Sequence, residues 1–183
     1  MEFEQTEIPE VILVKPKVIE DHRGYFMESY HIEKFQIGGI DCTFVQDNHV
    51  KSVQNTLRGL HFQVKYPQAK LLRCLQGKIF DVAVDIRLGS PTFLNWHGEV
   101  LSSDNHASLF IPDGFSHGFQ TMTDDCHLVY MHSNLYVPGA EGALNAVDPT
   151  LDIDWPLDIS EMSDRDRRHP FIGSNFINLF CKK

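Results

Sequence analysis

Residues 78–87 read KIFDVAVDIR. Phe80, Val82, Val84 and Ile86 alternate with Asp81, Ala83, Asp85 and Arg87. Successive side chains of a β-strand point to opposite faces, so this alternation predicts a strand with one apolar and one charged face. Further strands are expected at 11–17 (VILVKPK), 24–30 (GYFMESY), 42–50 (CTFVQDNHV), 70–75 (KLLRCL), 96–101 (WHGEVL), 107–111 (ASLFI) and 126–133 (CHLVYMHS). Turn residues separate them: Asp21-His22-Arg23-Gly24, Gly38-Gly39, Gln76-Gly77, Gly89-Ser90-Pro91, Pro112-Asp113-Gly114 and Pro138-Gly139. Helical pattern is confined to residues 31–37 and to SDRDRR at 163–168, where Ser163 is a candidate N-cap. Short strands at spacings of roughly ten residues predict an all-β sandwich or barrel with a few short helices. Residues 1–183 read as a single domain, with the more polar segment after Pro156 wrapping the barrel.

The totals narrow the function classes. About 42% of the chain is apolar, enough for a core, and thirteen Phe favour β-structure or an aromatic-lined pocket. The net charge of −9 argues against general nucleic-acid binding, which needs an excess of Lys and Arg. It leaves room for one small anionic ligand held by a local cluster of cations. Cys42, Cys74, Cys126 and Cys181 are widely spaced and form no CxxC pair, so reduced thiols and a cytoplasmic location are expected. The start, MEFEQTEIPE, is acidic and unlike a signal peptide. No apolar run approaches the roughly 18 residues that span a bilayer, and no membrane partner is expected.

Two stretches place histidine beside glycine: R-G-L-H-F-Q at 58–63 and I-P-D-G-F-S-H-G-F at 111–119. The P-x-G-x-x-H of the second resembles the short second motif of the cupin superfamily, in which the histidine points into a barrel. Metal-binding cupins pair two histidines as H-x-H in the first motif. Here Gln63 and Gly59 flank His61 at the two relevant positions, so no bound metal is expected. A packed core histidine is the plainer reading of His61, but Arg58 stands close by, and arginine does not enter an apolar core without an anion. Gln46, Asp47, Asn48, Lys70, Tyr130 and His132 repeat the pattern, as polar groups on strands where a barrel interior would be.

RGYFMESY, FVQDN, LRGLHFQ, QAKLLR, FDVAVDIR, GSPTF, IPDGFSHGF and DIDWP stand in the order and spacing of the dTDP-4-dehydrorhamnose 3,5-epimerases, and the chain resembles that family from about residue 7 to about residue 170. The resemblance implies a metal-free cupin jelly roll without a cofactor, a homodimer, and proton transfer beside the ketone of a dTDP-4-keto-6-deoxy sugar. It implies His61 as base, Asp166 as the carboxylate that holds the imidazole, Lys70 near the enolate and Tyr130 as acid on the opposite face. Arg23, Arg58 and Arg165 are expected to meet the diphosphate or sugar, and Glu28, Gln46, Asp47 and Asn48 to form hydrogen bonds. Phe26 would flank the base. His117, oriented by Asp81, would line the sugar pocket, and Glu141 would bind across the PGAEG turn.

The chain departs from the family pattern at Tyr130-Met131, where Tyr-Lys is usual. It also departs at Asn145-Ala146-Val147-Asp148, where a Trp-Asn/Asp-Asp run is usual. These features resemble the branch that makes modified deoxysugars, some members of which invert only C3 or only C5. The competing readings are a 3,4-ketoisomerase on the same scaffold and a non-catalytic sugar-nucleotide-binding cupin.

Overall fold

The computed structural model describes residues 1–173. The chain forms β1 (Glu2–Gln5), β2 (Ile12–Lys15), the hairpin β3 (Val18–Asp21) and β4 (Gly24–Met27), and helix α1 (Ile32–Ile37). Eight strands follow: β5 (Gln46–Ser52), β6 (Thr56–Gln63), β7 (Lys70–Gln76), β8 (Lys78–Asp85), β9 (Trp96–Ser102), β10 (Ser108–Ile111), β11 (Phe115–Thr121) and β12 (Cys126–His132). The short β13 (Glu141–Ala143), β14 (Glu161–Met162) and helix α2 (Asp164–Arg167) close the described chain. One sheet runs β1-β2-β10-β7-β12-β5, and the other runs β13-β6-β11-β8-β9 with β14 beside β6. Their inner faces meet in a core of Leu72, Cys74, Leu109 and Leu128 from the first sheet and Ile79, Ala83, Phe115 and Phe119 from the second. This is the expected jelly-roll cupin, built from two sheets that are antiparallel except where β14 joins β6.

KIFDVAVDIR forms β8, and both its faces are covered. Val82, Val84 and Ile86 join an outer cluster under Leu144, Ala146, Leu151 and Trp155. The charged face, expected to be distinct, is also buried: Asp81 and Asp85 are 0% exposed. Asp85 is satisfied by Arg87, Ser90 and Thr92, whose hydrogen bonds outweigh the effect of burial and hold its pKa at about 2. Asp81 turns toward the barrel interior instead.

Several strands are shorter than their sequence patterns. Pro16 lacks an N–H and follows the end of β2 at Lys15. Residues 42–45 are not strand, because Cys42 and Phe44 turn onto Tyr30 and Phe35. Both helices form where expected, and Ser163 caps α2 by accepting a hydrogen bond from the Asp166 N–H. Cys42, Cys74 and Cys126 are free, and Cys181 lies outside the described residues.

Candidate active site

A cavity of about 690 Å³ opens between the two sheets and is lined by His61, Lys70, His117, Tyr130 and Asp166 among others. A bulge on β6 shapes its lining. His117 pairs with His61 but Phe119 pairs with Arg58, so β6 carries one more residue than β11 across this stretch. Arg58 and His61, which a regular strand would set on opposite faces, therefore both reach the cavity. Gly59 makes the bulge possible. Its φ is +124°, and a Cβ there would sit 2.5 Å from the Gly118 Cα.

His61 Nε2 lies 2.7 Å from Asp166 Oδ1. Burial alone would raise the Asp166 pKa. Hydrogen bonds from His61, Ser163 and the Gly59 backbone, with the His61 charge, hold it below the usual carboxylate value. An ionised carboxylate only accepts, so Nε2 carries the hydrogen and Nδ1 of neutral His61 keeps the free lone pair. The opposite sheet contributes Tyr130 and Lys70. Burial raises the Tyr130 pKa, against a hydrogen bond from Asn48 and the charge of Arg58, so the phenol stays protonated. Lys70 is buried and its pKa falls to about 8, with Asp81 opposing the drop, so it is mainly cationic at pH 7. Its Nζ donates to the His61 carbonyl at 3.3 Å.

A neutral wall completes the pocket. His117 Nε2 lies 2.8 Å from Asp81 Oδ1 and donates to that carboxylate, and burial lowers the His117 pKa. His132 is pushed down to about 3 by burial and by the charges of Lys70 and His117. Its role follows from a chain of hydrogen bonds that starts at a backbone N–H. Tyr136 N donates to Gln46 Oε1, so the Gln46 amide donates to Asn48 Oδ1, and Asn48 Nδ2 donates to His132 Nε2. At the mouth Arg165 pairs with Glu141 at 2.8 Å, and Tyr136 donates to the same carboxylate.

The family model described as dTDP-4-dehydrorhamnose 3,5-epimerase matches residues 5–173. The chain is 46% identical over 171 residues to the dTDP-4-dehydrorhamnose 3,5-epimerase of Salmonella typhimurium, covering 92% of this chain and 93% of that one. The chain belongs to the dTDP-4-dehydrorhamnose 3,5-epimerase family. The epimerase from Legionella pneumophila, solved with dTDP-4-keto-L-rhamnose, superposes with a TM-score of 0.90 at 41% identity, over 93% of this chain and 92% of that one. The 4-keto-6-deoxy sugar epimerase NovW from the novobiocin cluster of Streptomyces spheroides gives a TM-score of 0.92 at 32% identity, over 98% and 92%.

Within this epimerase-family chain, His61, Lys70, Tyr130, Asp166, Asn48, Arg58, His117, Glu141 and Arg165 all line the cavity. Gln46 stands behind Asn48. Asp47 falls on the other face of β5 and is exposed, as the period of a strand requires. Arg23, Phe26 and Glu28 do not reach the cavity of their own chain. Arg23 and Phe26 sit on the exposed β3–β4 hairpin, with Arg23 paired to Asp21, and Glu28 just beyond it pairs with Lys34. Sequence reasoning passed over Gln63, which ties the mouth together through Tyr66, Leu135 and Val137. It also passed over His169, which stands beside Asp166. The spacing from Asp166 to His169 was a usable signal, since residues three apart on a helical turn share a face. Among the described residues no helix is long and apolar enough to cross a membrane.

Proposed function

We propose that the chain inverts C3, C5 or both in a dTDP-4-keto-6-deoxyhexose. His61 Nδ1 takes the proton from carbon next to the C4 ketone, and the electron pair moves onto the ketone oxygen as an enolate. Asp166 holds the ring and stabilises the imidazolium. The Lys70 ammonium stabilises the enolate, with greater effect in a water-poor cavity than in solution. Tyr130 returns a proton from the opposite side, which inverts the centre. The phenolate and imidazolium then exchange with solvent. The observation that carries this reading is the placement of His61, backed by Asp166, and Tyr130 on facing sheets around one cavity.

Arg58, Asn48, Arg165, Glu141 and His117 contact the sugar and diphosphate. The remaining binding residues come from a second copy. Ile19, Tyr25 and Phe26 are 57%, 56% and 70% exposed on the β3–β4 hairpin, more apolar surface than an isolated hairpin leaves in water without cause. In a homodimer this hairpin reaches the partner's cavity and delivers Arg23, Phe26 and Glu28 to the nucleotide. A cytoplasmic location fits the free thiols of Cys42, Cys74 and Cys126.

Incubation with dTDP-4-keto-6-deoxyglucose in deuterated water, followed by NMR, tests the reaction. Label is expected at C3, C5 or both, with the ketone remaining at C4. A ketone found at C3 would instead indicate a ketoisomerase, and absence of label a binding protein. Mixing inactive Phe26→Ala and His61→Asn chains tests the dimer, because hybrids should regain one intact site and measurable turnover.

A further inference from the structure

Three metal-ligating atoms converge at the edge of the cavity. His61 Nε2 lies 2.7 Å from Asp166 Oδ1, and His169 Nε2 lies 3.4 Å from the same oxygen. All three atoms lie within 4.8 Å of one another. The two imidazoles meet edge to face with centroids 5.9 Å apart. His169 Nε2 is buried, and its 3.4 Å approach to Asp166 falls short of good hydrogen-bond geometry. A buried ring nitrogen left in that state is costly, and it lies within 4.8 Å of the other two atoms.

Tetrahedral zinc, at about 2.0–2.2 Å from nitrogen and oxygen ligands, holds those ligands roughly 3.3 Å apart. The His169–Asp166 pair already has that spacing at 3.4 Å. The His61–Asp166 pair needs to open by roughly 0.6 Å and the two imidazole nitrogens, which lie within 4.8 Å of each other, need to draw together, both by side-chain rotation. Two imidazoles and one carboxylate suit zinc, and three protein ligands leave a fourth position open. The His61 side chain is 36% exposed, so an ion has access from the cavity. The backbone supports the arrangement, since Asn145 Nδ2 donates to the His169 carbonyl at 2.8 Å and Ser163 fixes the turn that carries Asp166.

We propose that His61, Asp166 and His169 form an inhibitory site for Zn²⁺. The inference rests on His61 as the base, and the inhibition follows from its tautomers. A neutral imidazole has one hydrogen and one lone pair. When Nε2 gives its lone pair to the ion, the hydrogen must sit on Nδ1, the atom that receives the substrate proton. Zinc also takes Asp166 away from the imidazolium it stabilises. Zinc binding and catalysis therefore exclude each other, and a chelator restores activity.

The test is a zinc titration of the metal-free protein against a chromophoric indicator, paired with deuterium incorporation from substrate. The parent chain is expected to bind one strong Zn²⁺ and to stop incorporating label as that site fills, with recovery on adding chelator. His169→Ala is expected to weaken zinc binding by about tenfold or more while still incorporating label in zinc-free buffer. His169→Gln should behave alike, which separates loss of the ligand from loss of packing. His49 and His127 form a rival surface pair, with Nε2 and Nδ1 3.0 Å apart. His127→Ala should leave zinc inhibition intact. The proposal is overturned if no strong site appears, if His127→Ala rather than His169→Ala abolishes it, or if label is incorporated at full rate with the site filled. Binding is read without substrate, so failure of the epimerase reading alone appears as a filled zinc site in a chain that never incorporates label.

Discussion

Two histidine–carboxylate pairs stand side by side in one sheet. His61 and His117 are direct cross-strand partners. Their hydrogen bonds are nearly identical, 2.7 Å to Asp166 and 2.8 Å to Asp81. Their surroundings differ. The His61 side chain is 36% exposed and the His117 side chain 7%. Asp166 comes from a helix laid over the cavity edge, whereas Asp81 comes from the next strand and is 0% exposed. A carboxylate alone therefore does not make a histidine a base. The ring also needs an open nitrogen, and burial must not oppose the charged form, as it does for His117. On the proposed reading the first pair moves protons, and the second is part of the wall.

Substitution of each pair is the strongest way to break this contrast. His61→Asn should lower turnover by about 10²–10⁴-fold while unfolding free energy changes by only about 1 kcal/mol, because the Asn amide keeps an N–H donor for the Asp166 carboxylate. His117→Ala should act mainly on stability, with a smaller loss of activity from its place in the cavity wall. It leaves the fully buried Asp81 carboxyl without its hydrogen-bond partner and is expected to cost about 1–3 kcal/mol in urea unfolding. If His61→Asn proves the more destabilising of the two, the assignment of roles fails.

Tyr130→Phe sharpens the comparison from the facing sheet. Inversion should fall by about 10²-fold or more, while some exchange of the substrate proton with solvent persists, because His61 still removes it. NMR in deuterated water separates the two outcomes.

The interior should also show itself through pH. Burial lowers the Lys70 pKa from its ordinary 10.5 to about 8, so the ammonium is present below that pH and is lost as pH rises through it. kcat/KM is expected to fall by about tenfold per pH unit above pH 8. Lys70→Gln should be less active throughout and lack that limb. Asp166 has the opposite sign. Its folded pKa is depressed below 3.8, so its contribution to stability is present above that value and fades as pH falls through the folded pKa.

The smallest effect belongs to the mouth. Arg58 and Arg165 should make dTDP binding weaken with salt, by a few-fold between about 0.05 and 0.2 M, as exposed charges are screened. A flat response in calorimetry would remove them from diphosphate binding.

Much of the fold was legible because it rests on local rules. The alternation in KIFDVAVDIR, the turn at Pro112-Asp113-Gly114 and the cap at Ser163 each act over a few residues. The polar lining of the cavity was legible for a related reason: arginine, lysine and histidine among apolar strand residues are costly unless something uses them. Tertiary structure decided the rest. The bulge at Gly59 brings Arg58 and His61 to the same cavity, and a cover that includes residues from 144–155 and from β6 buries the apolar face of β8 and leaves its carboxylates to the inside. Likewise, pattern places Phe26 on a strand, but its distance from the cavity depends on how the hairpin leaves the sheets. Sequence period determines which way a side chain points relative to its own strand. What lies opposite it, and whether water reaches it, depends on strands and helices that are distant in the chain and come together only when the two sheets close.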